Sequence, residues 1–236
     1  MKNIVKKYLS SKNKKIVVSD SNETLTNENF KKKVYYYKNQ IKSLLTKGDI
    51  KGVAIDLDRS CDYICVIFAC WLSNCFYLPL SNYLSSHNKS YQIKKSCVSI
   101  IVTKKNNEVK FIKLKNISSN KLINQNNGKI SYIIFTSGST GQKKGVIISN
   151  SNLKNYYTSI KNAFNKKYYP KSLLINGELI FDISLADLIF AFVFNCEISI
   201  TSDPRNLLSL IYMMEKKKNR INLCCSIYFR KTSLLL

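Results

Sequence analysis

Residues Thr136-Ser137-Gly138-Ser139-Thr140-Gly141-Gln142-Lys143-Lys144-Gly145-Val146 hold three of the chain's seven glycines and four hydroxyl side chains. They directly follow a β-branched and aromatic run, Tyr132-Ile133-Ile134-Phe135. Successive amides and hydroxyls in a glycine-rich turn can converge on an anion, and a lysine at the rim supplies the opposing charge. The chemistry indicated is the holding of phosphates. A Walker loop is excluded, because its second glycine would fall at Lys143 counted from Gly138, or at Val146 counted from Gly141. A dinucleotide fingerprint is excluded too, since no Gly-x-Gly occurs anywhere in the chain. The plain alternative is a hydroxyl-rich surface loop between strands. The number of specified positions, with a strand on each side, weighs against it.

Other elements must position this loop. Phe30, Val34, Tyr37, Ile41, Leu44 and Leu45 recur at helical spacing and predict an amphipathic helix ending at Gly48. Residues 52–57 read as a buried strand, the following cysteine-rich segment as a helix, and 98–102 as another strand. Residues 104–129, rich in lysine and asparagine, read as a loop region with at most one edge strand near Val109-Lys110-Phe111. Residues 130–135 lead into the phosphate loop, 146–148 leave it, and 151–164 predict a helix. Alternation continues through 173–175, 185–194, 197–200, 207–214 and 221–224. An α/β layered fold without internal repeats follows.

With 236 residues and 45% hydrophobic content the chain can bury a substantial core. The net charge of +24 would ordinarily suggest a nucleic-acid or anionic-membrane partner. Only Arg59, Arg205, Arg220 and Arg230 are arginines, however, and the scattered lysines accompany abundant asparagine, isoleucine and tyrosine, all residues with A- and T-rich codons. Biased nucleotide composition explains the charge better than a specific nucleic-acid face. Cys61, Cys65, Cys70 and Cys75 lie in one apolar segment at spacings suited to packing. No Cys-x-x-Cys pair occurs and the single histidine, His87, is distant, so neither a zinc site nor a disulfide framework is expected. No metal ligand is assigned, and a reducing cytoplasm is the expected compartment. Residues 63–86 lack charge, but Ser73, Asn74, Pro79, Ser81 and Asn82 interrupt them, so no membrane span is expected.

The order Thr-Ser-Gly-Ser-Thr-Gly-x-x-Lys-Gly-Val resembles the signature of the adenylate-forming (AMP-binding) ligases, which include acyl-CoA synthetases and nonribosomal amino-acid adenylation domains. Leu25-Thr26-Asn27-Glu28-Asn29-Phe30 is similar to the family's opening Leu-Thr-Tyr-x-Glu-Leu segment. The stretch from Trp71 to Leu80 is similar to its Leu-Lys-Ala-Gly-x-x-Tyr-Val-Pro-Leu segment. Phe181-Asp182-Ile183-Ser184 resembles the Phe-Asp-x-Ser segment of the amino-acid-activating branch, in which the aspartate holds the substrate's ammonium group. The resemblance implies ATP and Mg2+ as cofactors and formation of an acyl-adenylate from an amino acid or other carboxylate. The acyl group would then pass to a carrier-protein thiol or coenzyme A. It assigns Thr136, Ser137, Ser139, Thr140, Gly138, Gly141 and Lys144 to the nucleotide phosphates and Asp182 to the substrate. A helix N-cap is the structural alternative for Asp182.

Departures accompany the resemblance. Lys143 stands where the family usually has proline, Asn74 where it has glycine, and Asn150 where it has histidine. Residues 1–236 correspond to the N-terminal half of the family's large domain, incomplete at the C-terminus. The segments for adenine, magnesium and ribose, and the small domain with its catalytic lysine, would lie beyond Leu236. No catalytic residue is therefore assigned. The expectation is a chain inactive by itself, either a remnant or half of a split enzyme that a second polypeptide completes. Two alternatives stand beside this reading, an acyl-CoA synthetase-like fragment and a non-catalytic nucleotide-binding or interaction module.

Overall fold

Phe30, Val34, Tyr37 and Ile41 are all buried, as their helical spacing requires. In the computed structural model they line one stripe of an eighteen-residue helix over Asn27–Leu44. The structure describes residues 1–11, 16–115, 121–136, 143–164, 170–216 and 221–223. In chain order the first elements are α1 (Lys2–Ser10), β1 (Ile16–Ser19), β2 (Thr24–Thr26), α2 (Asn27–Leu44), β3 (Gly52–Asp56) and α3 (Cys61–Leu72). Then come β4 (Phe76–Pro79), α4 (Ser86–Ser96), β5 (Ile100–Lys105), β6 (Glu108–Lys113), α5 (Lys121–Gln125), β7 (Ile130–Thr136) and β8 (Lys144–Ser149). The last are α6 (Asn150–Ala163), β9 (Ser172–Ile175), α7 (Asp182–Phe194), β10 (Glu197–Ile200), α8 (Leu207–Lys216) and β11 (Ile221–Leu223).

The chain divides into two compact units. The first comprises Met1–Val5, Lys33–Asp58 and Asp62–Lys154. It holds a six-stranded sheet in the order β6-β5-β3-β4-β7-β8. The inner strands β5, β3, β4 and β7 are parallel, and β6 and β8 pair antiparallel at the edges. Parallel strands are covered on both faces, and β4 is buried at every position. Gly52 and Phe76 are register partners in β3 and β4. A Cβ added to Gly52 would lie 2.4 Å from the Phe76 ring, which is itself wholly buried.

The second unit comprises Lys6–Lys32, Arg59–Cys61 and Asn155–Leu236. Its sheet runs β11-β9-β10-β1-β2, parallel except for β2. Ser19, Ser172 and Ser199 are fully buried on adjacent strands, and Ser199 Oγ lies 3.2 Å from Ser19 Oγ and 3.3 Å from Ser172 Oγ. Tyr8 donates its hydroxyl to the Cys196 carbonyl at 2.7 Å while its ring meets Phe192 edge-on.

The described residues of the stretch 104–129 are more ordered than the sequence suggests. The expected edge strand is β6, but it forms a full hairpin with β5, and α5 follows. Asn106 and Asn107 both take left-handed backbone angles, with φ of 51° and 61°, which is the turn that suits a two-residue hairpin. The helix α4 was not foreshadowed. Its buried residues are Gln92 and Ser96, so it carries no strong apolar stripe. Its sequence signal is at the ends, where Ser85 accepts the Asn88 amide at 3.3 Å and Cys97 is left-handed at φ 52°.

Of the eight cysteines, the six among the described residues, 61, 65, 70, 75, 97 and 196, are all buried. Burial pushes the Cys70 thiol well up and the Cys75 thiol up to about 12, against a smaller opposing pull from Lys51 on Cys75. These thiols pack rather than react. No helix among the described residues is long and apolar enough to cross a membrane.

Gly52→Ala is expected to destabilise the protein by about 1–3 kcal/mol through overpacking against Phe76, measured as a lower urea midpoint with unchanged slope. A second expectation concerns pH. A hydrogen bond from Lys113, and then one from the Thr46 amide, hold the Asp49 carboxyl below its usual value. The stabilisation is thus complete above the ordinary aspartate range and is lost as pH falls through the depressed folded value. Denaturation of Asp49→Asn beside the parent should show a deficit at neutral pH that closes in acid.

Candidate functional site

The run Ile130-Ser131-Tyr132-Ile133 is buried and the next three residues emerge progressively, so that Thr136 is exposed at the carboxyl end of β7. Aromatic packing fixes that strand. Tyr132 stacks on its register partner Tyr77 at 5.7 Å and 20°. Trp71 meets Tyr77 edge-on at 5.8 Å and donates its indole N–H to the Ser131 carbonyl at 3.2 Å.

Strand β8 returns antiparallel, and its last pairs are Phe135 with Gly145 and Thr136 with Lys144. Gly145 matters here because a Cβ would lie 3.2 Å from the Phe135 ring. The structure thus brings the hydroxyl-bearing Thr136 and the cationic Lys144, both exposed, to opposite sides of one hairpin mouth. Ser137, Gly138, Ser139, Thr140 and Gly141 lie outside the described residues.

Asn150 fastens the exit of the hairpin. Its amide donates to the Lys129 carbonyl at 2.8 Å, its Oδ1 accepts from Ser131 Oγ at 2.6 Å, and its Nδ2 donates to the Gly128 carbonyl at 3.3 Å. The start of α6 is thereby tied to the start of β7. Beside the hairpin is a cavity of about 360 Å3. Lys95, Lys143 and Lys144 reach its wall together with Ile123, Ile133 and Ile147.

In the second unit Asp182 is exposed at the first position of α7. It is not the N-cap. Phe181 occupies that position without a side-chain cap bond, so Asp182 acts on the helix through its charge in the first turn. The turn before it is held by Arg59, a residue that sequence reasoning did not single out. The Arg59 guanidinium donates to the carbonyls of Ile175 at 2.8 Å, Gly177 at 2.5 Å and Thr201 at 2.8 Å, and to Thr201 Oγ1 at 3.2 Å. These carbonyls lie just at or beyond the carboxyl ends of β9 and β10. That edge is where open α/β sheets place their ligands. An arginine three residues after a strand, in a chain with few arginines, was the available signal. The donor set at the hairpin mouth, a hydroxyl and an ammonium with no acidic residue among the described residues of the adjoining cavity wall, suits a polyphosphate. Among the described residues one group with metal-ligand spacing occurs, Asp20, Glu23 and Cys61. Asp20 already accepts the amides of Asn22, Glu23 and Cys61 at 2.7–2.8 Å.

The sequence profile of the family described as AMP-binding enzyme matches residues 6–226. The chain belongs to that family. Its members are adenylate-forming ligases. Among curated relatives, the dapdiamide synthesis protein DdaD of Enterobacter agglomerans is 27% identical over 175 residues, covering 72% of this chain and 30% of that protein. Gramicidin S synthase 2 of Brevibacillus brevis is 25% identical over 216 residues, covering 83% of this chain and 5% of its own length. This AMP-binding chain therefore spans under a third of the curated relatives named here. Among solved structures, the O-succinylbenzoate coenzyme A synthetase of Bacillus subtilis in complex with AMP superposes with a TM-score of 0.72 at 15% identity. It covers 95% of this chain and 61% of that one. The N-terminal subdomain of Klebsiella oxytoca NpsA gives a TM-score of 0.70 at 14% identity, covering 93% and 58%. These likenesses establish the α/β layered fold of the N-terminal part of adenylate-forming enzymes.

Asn150→Ala should leave the fully buried Ser131 hydroxyl without its acceptor and cost about 1–3 kcal/mol. In a double-mutant cycle with Ser131→Ala, the pair should be destabilised by less than the sum of the single variants.

Proposed function

We propose that this AMP-binding chain forms the first part of the large domain of a ligase that activates an amino acid as its acyl-adenylate. One carboxylate oxygen of the substrate attacks the α-phosphorus of ATP, the bond to the bridging oxygen breaks, and pyrophosphate leaves. The acyl group then passes to a carrier-protein thiol. The observation that carries the reading is the hairpin mouth, where Thr136 and Lys144 close a loop whose sequence is the family's phosphate signature.

Lys144 holds the β- and γ-phosphates by charge, and the Thr136 hydroxyl and loop residues Ser137, Gly138, Ser139, Thr140 and Gly141 supply oriented donors. Such alignment and charge stabilisation, rather than covalent chemistry, lowers the barrier. Mg2+, when bound with the nucleotide, neutralises phosphate charge. Asp182, exposed beyond the carboxyl end of β9, accepts the substrate's ammonium group. The likeness of this chain to peptide synthetases supports an amino acid over other carboxylates. A cytoplasmic location accords with cysteines that pack in the core.

The test is amino-acid-dependent exchange of labelled pyrophosphate into ATP by the native polypeptide that carries these residues, isolated from its own cells. Lys144→Ala should raise the ATP requirement about tenfold or more. Asp182→Ala should lower kcat/KM for the amino acid about 10- to 100-fold, the worth of one charge-assisted hydrogen bond, while sparing carboxylates that lack an ammonium group. Exchange supported equally by such carboxylates in the parent would assign the chain to the acyl-CoA branch instead. Nucleotide binding with no exchange for any carboxylate would support a non-catalytic module.

A further inference from the structure

The chain leaving β9 is held at three successive residues. Arg59 Nη2 donates to the Ile175 carbonyl at 2.8 Å, and Arg59 Nη1 donates to the Gly177 carbonyl at 2.5 Å. Between them, Asn176 Oδ1 accepts the Thr201 hydroxyl at 3.0 Å. Thr201 is fixed by the same arginine, whose Nε donates to its carbonyl at 2.8 Å and whose Nη2 reaches its Oγ1 at 3.2 Å. One planar fork thus ties the exits of β9 and β10 together through every nitrogen it has. A lysine could not do so, because all its donors leave from a single atom.

The other side of this segment meets α7. A Cβ on Gly177 would lie 2.7 Å from Ile183 Cγ2 and 3.6 Å from the Ser184 amide nitrogen. Ile183 is β-branched and stands in the first turn of a helix, where χ1 has one strongly preferred well, so its methyl has little room to swing aside. The turn then closes on itself. The Phe181 amide donates to the Glu178 carbonyl at 3.0 Å, and the Phe181 carbonyl accepts the Ser184 amide at 3.3 Å and the Ser184 hydroxyl at 2.8 Å. Asp182 sits between Phe181 and Ile183, so its backbone takes its place from neighbours that lead back to Gly177 and Arg59.

We infer that Arg59 is a positioning residue for Asp182. The guanidinium fixes Gly177, Gly177 seats Ile183, and Ile183 with Phe181 holds the carboxylate where the substrate's ammonium group must meet it. This rests on the amino-acid reading of Asp182 given above. A charge-assisted hydrogen bond is directional, and a misplacement of about 1 Å can cost about 100-fold in rate. Arg59 does not touch the substrate and acts only through the carboxylate it places.

The experiment compares Arg59→Lys and Gly177→Ala with the parent in the native polypeptide that carries these residues. Pyrophosphate exchange is measured with an amino acid and with the matching carboxylate that lacks the ammonium group, and hydrogen exchange is followed at the Phe181 and Ser184 amides. Arg59→Lys should raise KM for the amino acid about tenfold or more, with KM for ATP and for the plain carboxylate unchanged. Gly177→Ala should act in the same direction, and both variants should speed exchange at the two amides while those of β3 keep the parent's rates. In an Asp182→Ala background Arg59→Lys should add nothing, because its effect passes through the missing carboxylate. Equal losses with both substrates, an additive loss in that background, parent-like exchange at Phe181 and Ser184, or faster exchange throughout the chain would each overturn the inference. A selective Asp182→Ala beside an unselective Arg59→Lys defeats the positioning role alone. An Asp182→Ala that leaves amino-acid use intact defeats the reading of Asp182, and the positioning role with it.

Discussion

The missing side chain at Gly52 sets the level at which the first unit's sheet begins. The Phe76 ring fills that space, Ser99 donates its amide to the Gly52 carbonyl, and Phe76 donates its own to the Lys51 carbonyl. Strands β3, β4 and β5 are thus pinned at their amino ends by one tight contact. Ile55 accordingly lies opposite both Pro79, the last residue of β4, and Val102. Strand β7 joins in register through Tyr77 and Tyr132, which places Ile134 level with Pro79. Phe135 and Thr136 then project two residues past it, roughly 6–7 Å at strand rise. Burial fades along that overhang, and there the pairing of β7 with β8 carries Thr136 and Lys144 past the end of β4.

Much of this architecture was legible in the sequence because apolar periodicity carried it. The stripe of α2, the continuous apolar runs of β3, β4 and β7, and the halt at Pro79 all follow from patterns that packing enforces. Of the helices missed or under-read, α4 and α5 bury polar residues or few residues at all, whereas α1 buries the apolar Val5, Tyr8 and Leu9 within only nine residues. α4 turns Gln92 and Ser96 inward, and α5 is only five residues long. Periodicity is silent for both, and only end signals such as Ser85 remained. Strand β5 starts at Ile100, two residues later than expected, because Ser99 is used by its hydroxyl and amide to reach the Ile50 and Gly52 carbonyls.

The candidate site was legible as a motif but not as an arrangement. Thr136 and Lys144 are eight positions apart in sequence, and nothing in their types requires that they be cross-strand partners. That follows from the register set by Tyr132 and Ile148. Likewise Asp182 could be named from its neighbours, yet its place just inside α7 rather than at the cap depends on the extended backbone of Phe181 and on the Arg59 clamp at Gly177. Backbone carbonyls make that clamp, and they leave no trace in residue identity.

Left-handed backbone positions show how this fold accommodates an A- and T-rich coding sequence. Asn74, Asn106, Asn107 and Asn195 all occupy them, alongside Cys97. Glycine fits such positions without cost, but its codons are rich in G and C, whereas asparagine is encoded by A-rich codons and is the side chain that tolerates this conformation best. A genome drifting toward A and T can therefore exchange one for the other with little loss of fold. Turns, in this chain, are therefore where A- and T-rich codons cost the fold least.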